Sequence, residues 1–188
     1  MWRMISAARG GYDITCVGEI SVAGSRAHAP SYGMQIVPAA TPQDIAAIRE
    51  LFREYAASLP MSLDYQGFET ELAELPGKYA PPRGRLLLAV EADGKVAGCV
   101  AVRPFDDGRC EMKRLYLHPA YQGRGWGRLL AQRAVGEARA AGYATMLLDT
   151  LSSMDSALRL YASLGFVRRP AYYETPVTGT VFMELKLS

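Results

Sequence analysis

Three glycines at alternate positions, Gly123, Gly125 and Gly127, stand directly ahead of Arg128-Leu129-Leu130 and a long helical pattern. Glycines there leave backbone N–H groups free, with no Cβ to hold a ligand away from them. The positive end of the helix dipole adds to those donors, so the turn suits an anion, most naturally a phosphate or diphosphate. Arg124 and Arg128 supply fixed positive charge beside it. No Gly-Lys-Ser/Thr follows, so the turn is not a P-loop. Its spacing also departs from the dinucleotide fingerprint, whose third glycine lies three residues after the second. Alternate glycines by themselves would equally serve an ordinary strand-to-helix turn.

Periodicity supplies the elements that must position this turn. Glu111 to Leu117 is short, rich in large apolar residues and closed by His118-Pro119, which reads as a strand. Upstream, Met34 to Val37 reads as a first strand ended by Pro38. Thr41-Pro42 gives an N-cap followed by proline at the first helical position, with Asp44 in the first turn. Ile45, Ile48, Leu51, Phe52 and Tyr55 recur at helical spacing and predict an amphipathic helix over 42–58. A weaker helix is predicted over 66–75, ahead of Pro76-Gly77. Leu86 to Glu91 and Lys95 to Arg103 are apolar runs joined by Ala92-Asp93-Gly94, a hairpin signal.

A break at 104–108 leads back into 111–117, so strands two to four form an antiparallel meander. After the glycine turn, Leu130, Ala134, Ala138 and Ala141 share one helix face, and Gly142 ends the helix. Ala144 to Leu148 is a fifth strand, parallel to the fourth because a helix joins them. Ligands of such sheets bind beyond the carboxyl ends of parallel strands, here near Leu117 and Thr150. Val167 to Ser188 reads as two final strands around 170–179. The expected fold is α/β: one domain over 34–188, a mixed, mostly antiparallel sheet of six to seven strands flanked by about four helices. Residues 1–33, rich in Ala, Gly, Ser and Arg, read as a loosely ordered extension with a candidate strand at 13–22. They hold no continuous apolar segment of the kind a secretory signal carries.

Gln122-Gly123-Arg124-Gly125-Trp126-Gly127 resembles the Gln/Arg-x-x-Gly-x-Gly/Ala signature of the GCN5-related N-acetyltransferase (GNAT) superfamily. Downstream, the run from Ala157 through Tyr161 to Gly165-Phe166 resembles that family's Ala-x-x-x-Tyr-x-x-x-Gly-Phe helix end. The two motifs stand in the family's order, with a helix and an apolar strand between them. One position departs from it: where the family often has Asn seven residues before the tyrosine, this chain has Met154, with Ser152 and Ser153 nearby.

The resemblance implies an enzyme that moves acetyl from acetyl-CoA to a primary amine of a small molecule, peptide or protein by direct attack in a ternary complex. It implies that the fourth and fifth strands splay apart and that the pantetheine arm pairs with the backbone of Leu115, Tyr116 and Leu117 like an added strand. The diphosphate would sit on the turn formed by Gln122, Gly123, Arg124, Gly125, Trp126, Gly127 and Arg128. Tyr161 would be the general acid for the leaving thiolate, and the N–H of Leu115 the donor to the thioester oxygen. Glu111, eleven residues before Gln122 (122 − 111), matches a general-base position in some members; its other reading is a charge paired with Lys113 or Arg103. Tyr55, Tyr65 and Phe68 are candidates for the acceptor pocket or for core aromatics, and Tyr173, with Tyr172, Glu174 and Thr175, for its opposite wall. The resemblance also leaves room for a catalytically weak CoA-binding module that regulates or binds partners.

Composition narrows the remaining classes. A net charge of +2 over 188 residues, with no basic stripe interleaved with aromatics, argues against nucleic acid. No apolar run approaches the roughly 18 residues of a membrane helix. Cys16, Cys99 and Cys110 are odd in number and at no metal-ligand spacing, which points to reduced thiols, a cytoplasmic protein and no metal. Monomer and homodimer are both compatible with the chain.

Overall fold

The structure, a computed structural model, describes residues 33–187. The extension expected over 1–33, with its candidate strand, lies outside the described residues except for Gly33. Seven strands form one sheet: β1 (Gln35–Pro38), β2 (Arg85–Val90), β3 (Val96–Pro104), β4 (Arg109–Leu117), β5 (Thr145–Leu151), β6 (Val167–Arg169) and β7 (Thr180–Lys186). Their order across the sheet is β1-β2-β3-β4-β5-β7-β6. Only β4 and β5 run parallel; every other neighbouring pair is antiparallel. Four α-helices cover the faces: α1 (Pro42–Ser58), α2 (Phe68–Glu74), α3 (Trp126–Ala140) and α4 (Asp155–Ser163).

Both faces of the sheet are buried, which is why β2 and β3 read as unbroken apolar runs rather than alternating ones. Leu87, Ala89, Val100 and Val102 turn toward α3 and α4, where Leu130, Ala134, Ala138, Met146 and Phe166 fill one core. Leu86, Leu88, Cys99 and Ala101 turn the other way, onto Ile48, Phe52, Phe68 and Leu72 of α1 and α2. Helix α1 begins with a capping box: Thr41 Oγ1 accepts from Asp44 N at 3.1 Å, and the Asp44 carboxylate accepts from Thr41 N at 2.9 Å. The helix predicted over 66–75 is split. A 3₁₀ turn covers Asp64–Gln66, Gly67 takes φ +70°, and α2 starts only at Phe68. The left-handed glycine ends one helical segment and opens the next.

Two irregularities shape the centre of the sheet. The β4–β5 ladder consists of three pairs, Arg109↔Thr145, Cys110↔Met146 and Glu111↔Leu147, after which the strands separate. On the other side of β4, Cys99 pairs with Tyr116 while Ala101 pairs with Lys113, so β4 carries one extra residue there. Such a bulge leaves that residue out of the ladder and bends the strand. Arg114, inside it, has φ +56° and is the one positive-φ residue other than glycine among the described residues.

Candidate active site

The separation of β4 from β5 opens a cleft lined by Met112, Lys113, Arg114 and Leu115 on one side and Asp149, Thr150 and Leu151 on the other. Helix α4 adds Ala157 and Tyr161, and Met154 stands at its N-cap. The end of α1 and the loop after it add Tyr55, Leu59, Met61, Leu63, Tyr65 and Gln66. The cleft therefore joins the two cores through the gap in the sheet. Tyr161 packs edge-on against Phe166, with centroids 5.8 Å apart. Burial, with the charge of Asp149 as a smaller contributor, pushes its hydroxyl pKa well above the ordinary tyrosine value, so it keeps its proton.

At the far end of β4 the glycine turn opens α3. Gly125 is the N-cap at φ +84°, Gly123 has φ +74°, and no side chain caps the helix. A Cβ built on either glycine would meet nothing within 4 Å. Open space thus faces the uncapped first turn, which suits a diphosphate. Gln122 Nε2 donates to the Leu117 carbonyl at 3.0 Å and fastens the turn to the end of β4. Arg128 donates to Ser163 Oγ at 2.6 Å, tying the start of α3 to the end of α4, and Arg124 is exposed. Trp126 is buried in the core beneath the turn.

Charged side chains cross the sheet where the ladder stops. Glu111, 1% exposed, accepts from Arg103 Nε at 2.8 Å and from the Tyr172 hydroxyl at 2.7 Å, and Lys113 Nζ lies 3.7 Å away. Both of its oxygens are engaged, and it does not line the cleft. Lys113 reaches across the opening to Asp149 Oδ1 at 2.9 Å. Burial raises the Asp149 carboxyl, but the charge and hydrogen bond of Lys113 outweigh it, leaving the group below the ordinary aspartate value. The Tyr173 hydroxyl is buried beside the Asp149 carboxylate without a well-formed hydrogen bond.

Arg114 points to the α2 side. It donates to the two oxygens of Glu71 at 3.0 and 2.8 Å and to Gln66 Oε1 at 3.1 Å. Its guanidinium lies 5.8 Å from the Tyr55 ring centroid and 5.2 Å from that of Phe68. Burial pushes the Tyr55 hydroxyl up to about 12.

Of the acceptor-side candidates, Tyr55 and Tyr65 line the cleft, whereas Phe68 is a core ring beneath Arg114. Tyr116 packs on Tyr55 and His118. Sequence reasoning passed over Asp149 and Arg114. Asp149 is the lone charge in the apolar run Met146 to Leu151, which was a usable signal. Arg114 had none, because its backbone conformation follows from strand register. Among the described residues no group of His, Cys, Asp or Glu is arranged to hold a metal, and no helix is long and apolar enough to cross a membrane.

Comparison with known proteins agrees with this geometry. The model of the acetyltransferase (GNAT) family matches residues 45–166. An uncharacterized N-acetyltransferase of Schizosaccharomyces pombe is 41% identical over 148 residues, covering 78% of this chain and 91% of its own. One from Escherichia coli is 31% identical over 152 residues, covering 78% and 89%. A Salmonella typhimurium protein assigned as an acetyltransferase, solved with its cofactor acetyl-CoA, is 27% identical with a TM-score of 0.59, over 82% of this chain and 94% of that one. The chain belongs to the GNAT family of acetyltransferases and is an acyl-CoA-dependent N-acetyltransferase.

Proposed function

We propose that this protein moves acetyl from acetyl-CoA to a primary amine of a small molecule or peptide, by direct attack in a ternary complex. The observation that carries the reading is the pairing of two features along β4: the uncapped glycine mouth of α3 just beyond its end, and the cleft beside it that holds Tyr161.

In this reading Gly123 to Arg128 hold the diphosphate with backbone N–H groups, Arg124 and Arg128 add charge, and Gln122 fixes the turn. The backbone of Leu115, Tyr116 and Leu117 pairs with the pantetheine arm, and the bulge presents the Leu115 N–H to the thioester oxygen. Met154, at the position where an amide is common in the family, leaves that grip to backbone. The bound coenzyme supplies an acetyl thioester: a carbon–nitrogen bond forms as the carbon–sulfur bond breaks, two protons leave the ammonium nitrogen, one returns to sulfur and one passes to solvent. Tyr161, held protonated by burial, gives its proton to sulfur and is refilled by the proton that the nitrogen loses as the carbon–nitrogen bond forms. Glu111 spends both oxygens on Arg103, Tyr172 and Lys113, which supports an orienting role through Lys113 more than proton abstraction.

Thiol release from acetyl-CoA, followed with a panel of primary amines, tests the reading. Release that depends on an amine and matches acetylated product is the expected result. Tight acetyl-CoA binding with no release for any amine would instead make the protein a CoA-binding module.

A further inference from the structure

The charges around the cleft cancel within the protein. Arg103, Lys113 and Arg114 are opposed by Glu111, Asp149 and Glu71, three cations to three carboxylates. Arg114 gives both ends of its guanidinium fork to Glu71, and its side chain is 2% exposed. Lys113 is 5% exposed and lies between Glu111 and Asp149. Both are already paired with carboxylates and almost wholly buried, which places them poorly to meet an anion on the acceptor.

Asp149 differs from both. It is the one acid lining the cleft, its side chain is 14% exposed, and Lys113 occupies only Oδ1. Beside it stands the buried Tyr173 hydroxyl, which faces that carboxylate without a well-formed hydrogen bond. A buried hydroxyl so poorly matched is costly, and a small adjustment that brings a donor and the carboxylate together would satisfy it. The acceptor side of the cleft is built from Leu59, Met61 and Leu63, the rings of Tyr55 and Tyr65, and the Gln66 amide, which donates to the Tyr65 hydroxyl.

We propose that the acceptor is a monoamine with an apolar or aromatic body and no anionic group next to the nitrogen, its ammonium held by Asp149 Oδ2 with the Tyr173 hydroxyl completing the polar end of the site. This rests on the N-acetyltransferase reading above and names its substrate class. One open carboxylate oxygen meets one ammonium. Among the described residues, the cations lining the cleft are already paired, so a carboxylate on the acceptor would be buried without one of its own, and a second ammonium would find no second carboxylate there; burying an unpaired charge is penalised in both cases.

The test uses the full chain, with acetyl-CoA affinity measured by calorimetry alongside turnover. Three probes separate the classes: 2-phenylethylamine, L-phenylalanine, which adds a carboxylate to the same body, and spermidine. The expected result is a kcat/KM for 2-phenylethylamine higher by about 100-fold than for the other two. Tyr173→Phe removes a hydroxyl that has no well-formed hydrogen bond, and its unfolding midpoint checks that the variant folds; it should raise the KM for 2-phenylethylamine about tenfold and leave acetyl-CoA affinity unchanged. Asp149→Asn should lower kcat/KM for that amine by about 100-fold, again with acetyl-CoA affinity intact. Equal or better use of L-phenylalanine or spermidine, no transfer to 2-phenylethylamine, or a Tyr173→Phe enzyme with unaltered amine KM would each overturn the proposal. Failure of the wild type to bind acetyl-CoA would instead strike the underlying functional reading.

Discussion

Tyr161 and Arg114 sit about as deep in the protein as each other, yet their side chains do opposite things. The Tyr161 hydroxyl opens on the cleft and is held protonated by burial. Replacing it with Phe removes no intramolecular hydrogen bond, so stability should hold and acetyl-CoA affinity should stay the same. Turnover should fall by about 10²-fold or more, the usual loss when a proton donor goes. Steady-state kinetics with calorimetric binding checks this, and unchanged kcat would remove Tyr161 from the chemistry.

Arg114 instead holds structure. Its left-handed backbone costs roughly 1–2 kcal/mol in a residue other than glycine, and the fork to Glu71 keeps it in place. Burial raises the Glu71 carboxyl, but the hydrogen bonds and charge of Arg114 more than reverse this, so its folded pKa lies below the ordinary value. Its contribution to stability is then full above the ordinary glutamate value of about 4.3 and is lost as pH falls through the lower folded value. Acid titration of the unfolding midpoint should show that loss in wild type, and Glu71→Gln should flatten it. The Tyr161 motif was legible in the sequence because it is local. The Arg114–Glu71 fork and the Tyr172–Glu111 bond join residues 43 and 61 positions apart, and no periodicity carries that information.

At the scale of elements, β3 and β4 are pressed together at the end of β4 that leads to the glycine turn. A Cβ on Gly98 would lie 2.3 Å from the Tyr116 carbonyl oxygen and 2.9 Å from Leu117 Cα, and both are backbone atoms that cannot swing aside. Gly98→Ala should therefore push the end of β4 away from β3, lowering the unfolding midpoint and weakening acetyl-CoA binding together. Loss of one without the other would show that the end of β4 does not position the site. A glycine inside the apolar run Val96 to Val102 hinted at close backbone approach, and the partner strand supplied the reason.

Helix α1 was readable to its bounds, 42–58, because Thr41, Pro42 and Asp44 mark its start chemically. The stretch after it was not, since Gly67 can serve either inside a weak helix or between two segments. Strand β5 runs to Leu151, three residues beyond Leu148 where the apolar run stops, because β7 continues to pair with it: Asp149↔Phe182, Thr150↔Val181 and Leu151↔Thr180. Those extra residues carry Asp149 into the cleft.

Among the described residues, one sheet with both faces covered breaks at its centre, in the gap between β4 and β5. The fold class was legible because hairpin, meander and strand–helix–strand signals each limit the neighbours a strand can have. The width of the gap and the charges that line it depend on the bulge in β4 and on the register of three strands, which the sequence does not display. Both halves of the proposed reaction meet in this gap: the glycine mouth of α3 at one end, and the tyrosines of α1, its following loop and α4 at the other.

The central claim is that this gap and the α3 mouth together bind acetyl-CoA. Calorimetric titration of the folded chain with acetyl-CoA tests it most directly. The account predicts saturable binding at one site per chain, weakened by added inorganic diphosphate, which would compete for the N–H groups of the glycine turn. Absence of heat and of any thermal shift, in protein that remains folded, would contradict it.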